Sequence, residues 1–188
     1  MDRVELALLE ALDVVVWRAL AEGRLDAAAR RVRATLARES DAALAWEAVP
    51  LTLDGCVEAP DDEVRRRAAD IRSCWIFLLR RGISTGAERH PNSVQRVMSY
   101  RGSADMQTWD RHWRQNPLRS DPRAAVEERW LSIPRNVWHR PRIGPHADWM
   151  VISFHTAGAA DLIEERARDD ENPDAGSTSE AYAGRRSR

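Results

Sequence analysis

Glu88 and His90 stand two residues apart in Gly82-Ile-Ser-Thr-Gly-Ala-Glu88-Arg-His90-Pro-Asn-Ser-Val-Gln95. On an extended segment that spacing turns both side chains to one face, so a single strand can offer a carboxylate and an imidazole to one metal ion. Pro91-Asn92 predicts a turn, after which Gln95 opens the next strand with its amide oxygen able to return toward the same point. A second segment, Ile133-Pro134-Arg135-Asn136-Val137-Trp138-His139, carries another turn, because asparagine tolerates the left-handed conformation better than most residues. That turn delivers His139.

These two segments resemble the paired motifs of the cupin superfamily. The first motif's spacing is met throughout: Gly82, five residues, Glu88, one, His90, four, Gln95, six, Gly102. In the second, Pro134 and His139 hold the family separation, while Glu88 stands for the first family histidine, Gln95 for the glutamate and Asn136 for a glycine. The resemblance implies a mainly β chain, an antiparallel jelly-roll barrel with an N-terminal helical extension. It also implies a divalent metal at Glu88, His90 and His139, with Gln95 as a weak fourth ligand. Glu88 and Gln95 are the candidate catalytic residues. Two histidines and a carboxylate are the ligand inventory of non-haem Fe(II) oxygenases, and they also suit Zn(II) or Mn(II). The function implied is a metal-dependent cupin enzyme, an iron oxygenase or dioxygenase acting on a small polar metabolite. The alternatives are a non-oxidative isomerase, lyase or bond-forming enzyme, and a metal-free ligand-binding or regulatory module. Homodimerisation follows from the same resemblance.

The elements that must position these residues are readable from periodicity. Val4, Leu8, Leu12, Val15 and Ala19, then Leu25, Ala29, Val32 and Leu36, recur at helical spacing on either side of Gly23, predicting two helices. Val49 to Leu53 reads as a short strand, and Asp61-Asp62-Glu63 starts a helical turn over Val64 to Ala69. From Ile71 onward, short apolar runs bounded by Gly, Pro, Asn and Asp predict strands over Ile71 to Leu79, Ser93 to Tyr100, Ala104 to Trp109, Arg129 to Pro134, Asn136 to His139 and Trp149 to Thr156. Trp109 to Val126 is expected to be a loop, with Trp109 and Trp113 as lid residues. The organisation expected is a helical extension over 1–60, a barrel over 61–166 and a disordered tail over 167–188, since the tail has little apolar surface to bury. His155 is expected to be a hydrogen-bonded core histidine, and Trp75, Trp130 and Trp149 core packing.

Composition narrows the classes. The chain has 188 residues, 43% hydrophobic and 31% charged, with a net charge of −1. It can bury a core, and it lacks the global positive field that drives binding to phosphate backbones, so no nucleic-acid partner is expected. All 29 basic residues are arginine, which excludes a lysine Schiff base or lysine general base. Cys56 and Cys74 make no disulfide framework, and Cys74 reads as inert packing. With so few cysteines a reducing cytoplasm is the expected compartment, a small molecule is the substrate the resemblance implies, and no apolar run approaches the ~20 residues of a membrane span.

Overall fold

The computed structural model of the chain describes residues 1–51, 53 and 61–181. Helix α1 (Arg3–Ala21) starts at Asp2, whose carboxylate accepts the Glu5 N–H at 2.7 Å. Gly23, at φ +73, takes the left-handed turn that lets α2 (Arg24–Arg38) reverse direction. Strand β1 (Leu44–Ala48) follows, then helix α3 (Asp62–Ala69), capped by Asp61. The strands β2 (Ser73–Leu79), β3 (Glu88–Arg89), β4 (Gln95–Arg101), β5 (Ser103–Trp109), β6 (Trp113–Arg114) and β7 (Pro117–Arg119) come next. A four-residue helix α4 (Val126–Arg129) then precedes β8 (Trp130–Ile133), β9 (His139–Arg142), β10 (Trp149–His155), β11 (Ile163–Ala167) and β12 (Ser177–Ala181).

Two antiparallel sheets result, one in the order β1-β2-β10-β4-β8, the other β12-β11-β3-β9-β5-β6 with β7 on β5. This is the mainly β, jelly-roll class that the sequence predicts. The first sheet is buried on both faces, and the alternation of its strands shows why. Ile76 and Leu78, Met98 and Tyr100, and Met150, Ile152 and Phe154 pack with Leu8, Leu12, Leu25 and Val32 of the helices. Their alternate neighbours, Leu79, Val97, Trp149 and Val151, pack with Met106, Leu118 and Ile143 on the opposite side. All seven residues of β10 are therefore buried.

Buried polar groups fasten the helices to this sheet. Glu5 accepts from Arg96 at 2.7 and 3.2 Å and from Arg67 at 3.1 Å. Asp13 accepts from Arg129, Trp130 and Trp17 together. At the end of α2, Arg80 of the following sheet donates to the carbonyls of Leu36, Glu39 and Ala42 at 2.9–3.0 Å. No helix among the described residues is long and apolar enough to cross a membrane.

Several expectations require correction. The strand expected at Val49 to Leu53 lies earlier, at Leu44–Ala48, because Pro50 has no N–H with which to continue the ladder; Thr52 is outside the described residues. The segment after Trp109 is not simply a loop, since β6 and β7 fold back onto β5, held by the Asn116 side chain on the Met106 carbonyl and Thr108. The tail expected to be disordered over 167–188 is ordered as far as it is described: β12 pairs with all five residues of β11. Hydrogen bonds replace apolar burial there. The Trp109 and Trp138 indoles donate to the Asp174 carboxylate, Trp113 to the Asp170 carbonyl, and the Ala87 N–H to the Asp170 carboxylate. Residues 182–188 and Cys56 lie outside the described residues. Cys74 is buried, and burial pushes its thiol pKa far up, consistent with inert packing.

Candidate metal centre

The site is a row of cross-strand neighbours. Glu88 on β3 lies opposite His139 on β9 and, on its other side, opposite Arg166 on β11. Directly paired residues of an antiparallel ladder share a face, so all three side chains enter the space between the sheets. His90, two residues beyond Glu88, and Glu164, two before Arg166, join that face by the strand's period of two. The facing sheet contributes Gln95, which pairs with His155 of β10. Asn136, at φ +63, makes the left-handed turn that the sequence predicts just before His139.

Glu88, His90 and His139 each present a ligand atom within 4.8 Å of the others. Both imidazoles are oriented from behind: His90 Nδ1 lies 3.1 Å from the Ile163 carbonyl, and His139 Nδ1 lies 3.1 Å from the Val137 carbonyl. A carbonyl only accepts, so each Nδ1 carries the proton and each Nε2 keeps its lone pair. His139 Nε2 is buried with no hydrogen bond, its nearest charge being Glu88 Oε1 at 3.6 Å, an electrostatic contact rather than a hydrogen bond. Burial, with repulsion from His139, lowers the His90 pKa to about 4 against the pull of Glu88. His90 is thus a neutral donor at physiological pH. Burial opposes the charge on Glu88, yet the positive charge that His139 and His90 carry when protonated, together with that of Arg166, outweighs it and lowers the carboxyl pKa. Two imidazoles with Nδ1 held by carbonyls, a carboxylate and an orphaned buried nitrogen fit a divalent metal.

Gln95 donates from Nε2 to Ser153 Oγ at 3.0 Å, and its buried Oε1 has no hydrogen bond. His155 is a core histidine as expected, with Nε2 2.9 Å from Ser153 Oγ and Nδ1 3.5 Å from Ser93 Oγ. Its ring sits edge-on to His90, and burial pushes its pKa well down.

Glu164 and Arg166 escape the sequence reading. Arg166 reaches Glu88 Oε2 at 3.2 Å and Glu164 Oε1 at 2.7 Å, and it donates to the Thr85 carbonyl. Glu164 is only 1% exposed. Nothing in Ile163-Glu-Glu-Arg-Ala167 marks these two as interior, because alternation among polar residues carries no hydropathy signal.

The cavity bounded by these groups is small, about 40 Å³, room for a few waters. Its other wall is apolar, from Leu44, Trp46, Phe77, Val97, Met106 and Val151. Trp109 and Trp113, expected as lids, do not line it and instead hold the Asp170–Asp174 segment. Trp75, Trp130 and Trp149 are core residues, as expected. A wider groove of about 760 Å³ beside α1 and β8 holds neither histidine nor cysteine, and its Glu5–Arg96 pair is committed to anchoring the helix.

No family model matches the chain, and no curated protein matches it. Solved structures similar to it include the capsular polysaccharide assembling protein CapF from Staphylococcus aureus, at 14% identity and TM-score 0.39 over 45% of this chain and 22% of that one. Pumpkin seed globulin matches at 21% identity and TM-score 0.41, over 50% of this chain and 23% of that chain. The polyketide cyclase RemF from Streptomyces resistomycificus matches at 16% identity and TM-score 0.41, over 60% and 64%. This chain spans 22–29% of the CapF chains it matches and 23% of the globulin. The two antiparallel sheets described above have the layout of a jelly roll.

Proposed function

We propose that this protein is a mononuclear metal-dependent cupin enzyme, an iron(II) oxygenase or dioxygenase acting on a small polar metabolite. The observation that carries the reading is the convergence of Glu88, His90 and His139 within 4.8 Å, with a buried His139 Nε2 that no protein group satisfies. Ferrous iron in a two-histidine, one-carboxylate set would supply one-electron chemistry toward dioxygen and leave coordination positions open. The chain's own groups do the rest. Ile163 and Val137 carbonyls fix the imidazoles, Arg166 holds the far oxygen of Glu88, and Ser153 orients Gln95 so that its carbonyl oxygen can accept a hydrogen bond from a substrate. The apolar wall from Phe77, Val97 and Val151 excludes water.

A second reading, a non-oxidative isomerase or lyase using Zn(II) or Mn(II), is favoured by Glu164, a buried carboxylate on the cavity wall able to carry a proton. Elemental analysis of protein purified without an affinity tag tests both. The first reading expects iron in near-equal ratio to chain, lost in His90→Ala and His139→Ala, and a quartet-spin paramagnetic signal when nitric oxide is added anaerobically. Zinc or manganese in place of iron moves the assignment to the second. Full metal retention in either histidine variant defeats the site itself.

A further inference from the structure

The charges around the cavity go further than the metal. Glu88 and Glu164 bring two carboxylates, and Arg166 brings one guanidinium in contact with both, at 3.2 and 2.7 Å. The remaining polar walls, from His90, Gln95, His155 and Thr85, are uncharged when the histidines act as neutral donors. With both carboxylates ionised these groups sum to one net negative charge, and a bound divalent ion would convert this to one net positive charge. Uncompensated charge between apolar walls is costly, because Val97, Val151, Phe77 and Met106 cannot solvate it. Without Arg166 the loaded site would already be neutral.

We propose that Arg166 makes the metal-loaded site selective for a monoanionic ligand, so that the substrate or co-substrate enters with a single negative charge, as a carboxylate or a deprotonated acidic hydroxyl does. This rests on the metal reading of Glu88, His90 and His139. Arg166 acts as a specificity determinant through its charge: its guanidinium donates to Glu88 and the Thr85 carbonyl and pairs electrostatically with Glu164, so it need not touch the ligand. Glu164, in contact with the same guanidinium, sets the opposite sign.

Azide, a small monoanion suited to a cavity of about 40 Å³, is the probe. The full chain is loaded with Co(II), its metal content is measured, and azide is titrated against the visible d–d bands. A full unit of charge within a few ångströms shifts anion affinity by at least about tenfold at a protein's effective dielectric. Arg166→Gln is expected to weaken azide by that factor with Co(II) retained, Arg166→Lys to restore it, and Glu164→Gln to tighten it by a similar factor. Should Arg166→Gln fail to fold, Glu164→Gln carries the test alone. Equal azide affinity in the wild type and a metal-loaded charge variant overturns the proposal while leaving the metal centre standing. A wild-type chain that takes up no Co(II) removes the metal reading and this proposal together.

Discussion

Replacing Glu88 by glutamine keeps the side chain's shape and removes its charge. At about 4 Å, a divalent ion and a unit charge attract by about 8 kcal/mol at an effective dielectric near 20. The amide retains a dipole and loses less solvation, offsetting about half, so the net loss is about 3–4 kcal/mol, or two to three powers of ten in metal affinity. Folding of the metal-free chain should suffer little. Arg166 keeps Glu164 and the Thr85 carbonyl, so the lost contact to Glu88 costs about 1 kcal/mol. The two effects separate in a thermal assay run with and without metal. Metal at a hundredfold its dissociation constant stabilises the wild type by about 2.7 kcal/mol. For a chain of this size, at about 2–4 °C per kcal/mol, that is a rise of about 5–10 °C in Tm. Glu88→Gln at the same metal concentration should show almost no rise, and titration calorimetry should give the matching loss of affinity. A metal-induced rise equal to that of the wild type would refute the reasoning, and Glu88 would then be a base beside a metal held by other groups.

Gln95→Ala should retain nearly all bound metal in elemental analysis, since a neutral carboxamide is a weak donor; complete loss of the ion would make it a required ligand. Asp13→Leu should destabilise the fold by about 3–5 kcal/mol in urea unfolding, because Arg129, 4% exposed, is left buried and unpaired, and adding Arg129→Leu should recover much of that. The Glu5 carboxyl is pushed up by burial but held below its ordinary pKa by Arg96 and Arg67. Its contribution is therefore complete above the unfolded carboxyl's pKa and lost as pH falls through the lower folded value, so the wild-type urea midpoint should fall more steeply on acidification than that of Glu5→Gln. Gly102→Ala should lower Tm, because a Cβ there would lie 2.9 Å from the Asp148 carbonyl at φ +84.

Local spacing explains what the sequence discloses about the site. Glu88 and His90 share a face because they are two apart on one strand, and His139 arrives by a turn whose asparagine is legible as left-handed. Apolar alternation likewise marks Ser73–Leu79, Gln95–Arg101 and Trp149–His155 as strands. Arg166 and Glu164 remain hidden because their place depends on the pairing of β11 with β3, a register between residues more than seventy apart that no local pattern encodes. The 168–176 segment is hidden for another reason. Three indole N–H groups and the Arg140 guanidinium hold it, whereas composition registers only how much apolar surface a segment can bury. The misplaced first strand shows that one proline outweighs the β-propensity of its neighbours.

Arg80 gives the helical layer a property that its length alone would not. The carbonyls of Leu36, Glu39 and Ala42 are at the end of a helix and in the turn beyond it, where partners within the helix have run out. A guanidinium rooted next to the last residue of a central strand supplies those partners. Lifting the helices off would strand the Leu36 and Ala42 carbonyls and one cation at once, besides exposing the apolar faces of Leu8, Leu12 and Val32. The helices and the sheets are consequently one cooperative unit. Chemical denaturation followed by helical circular dichroism and by tryptophan emission from the sheets should trace a single, coincident transition.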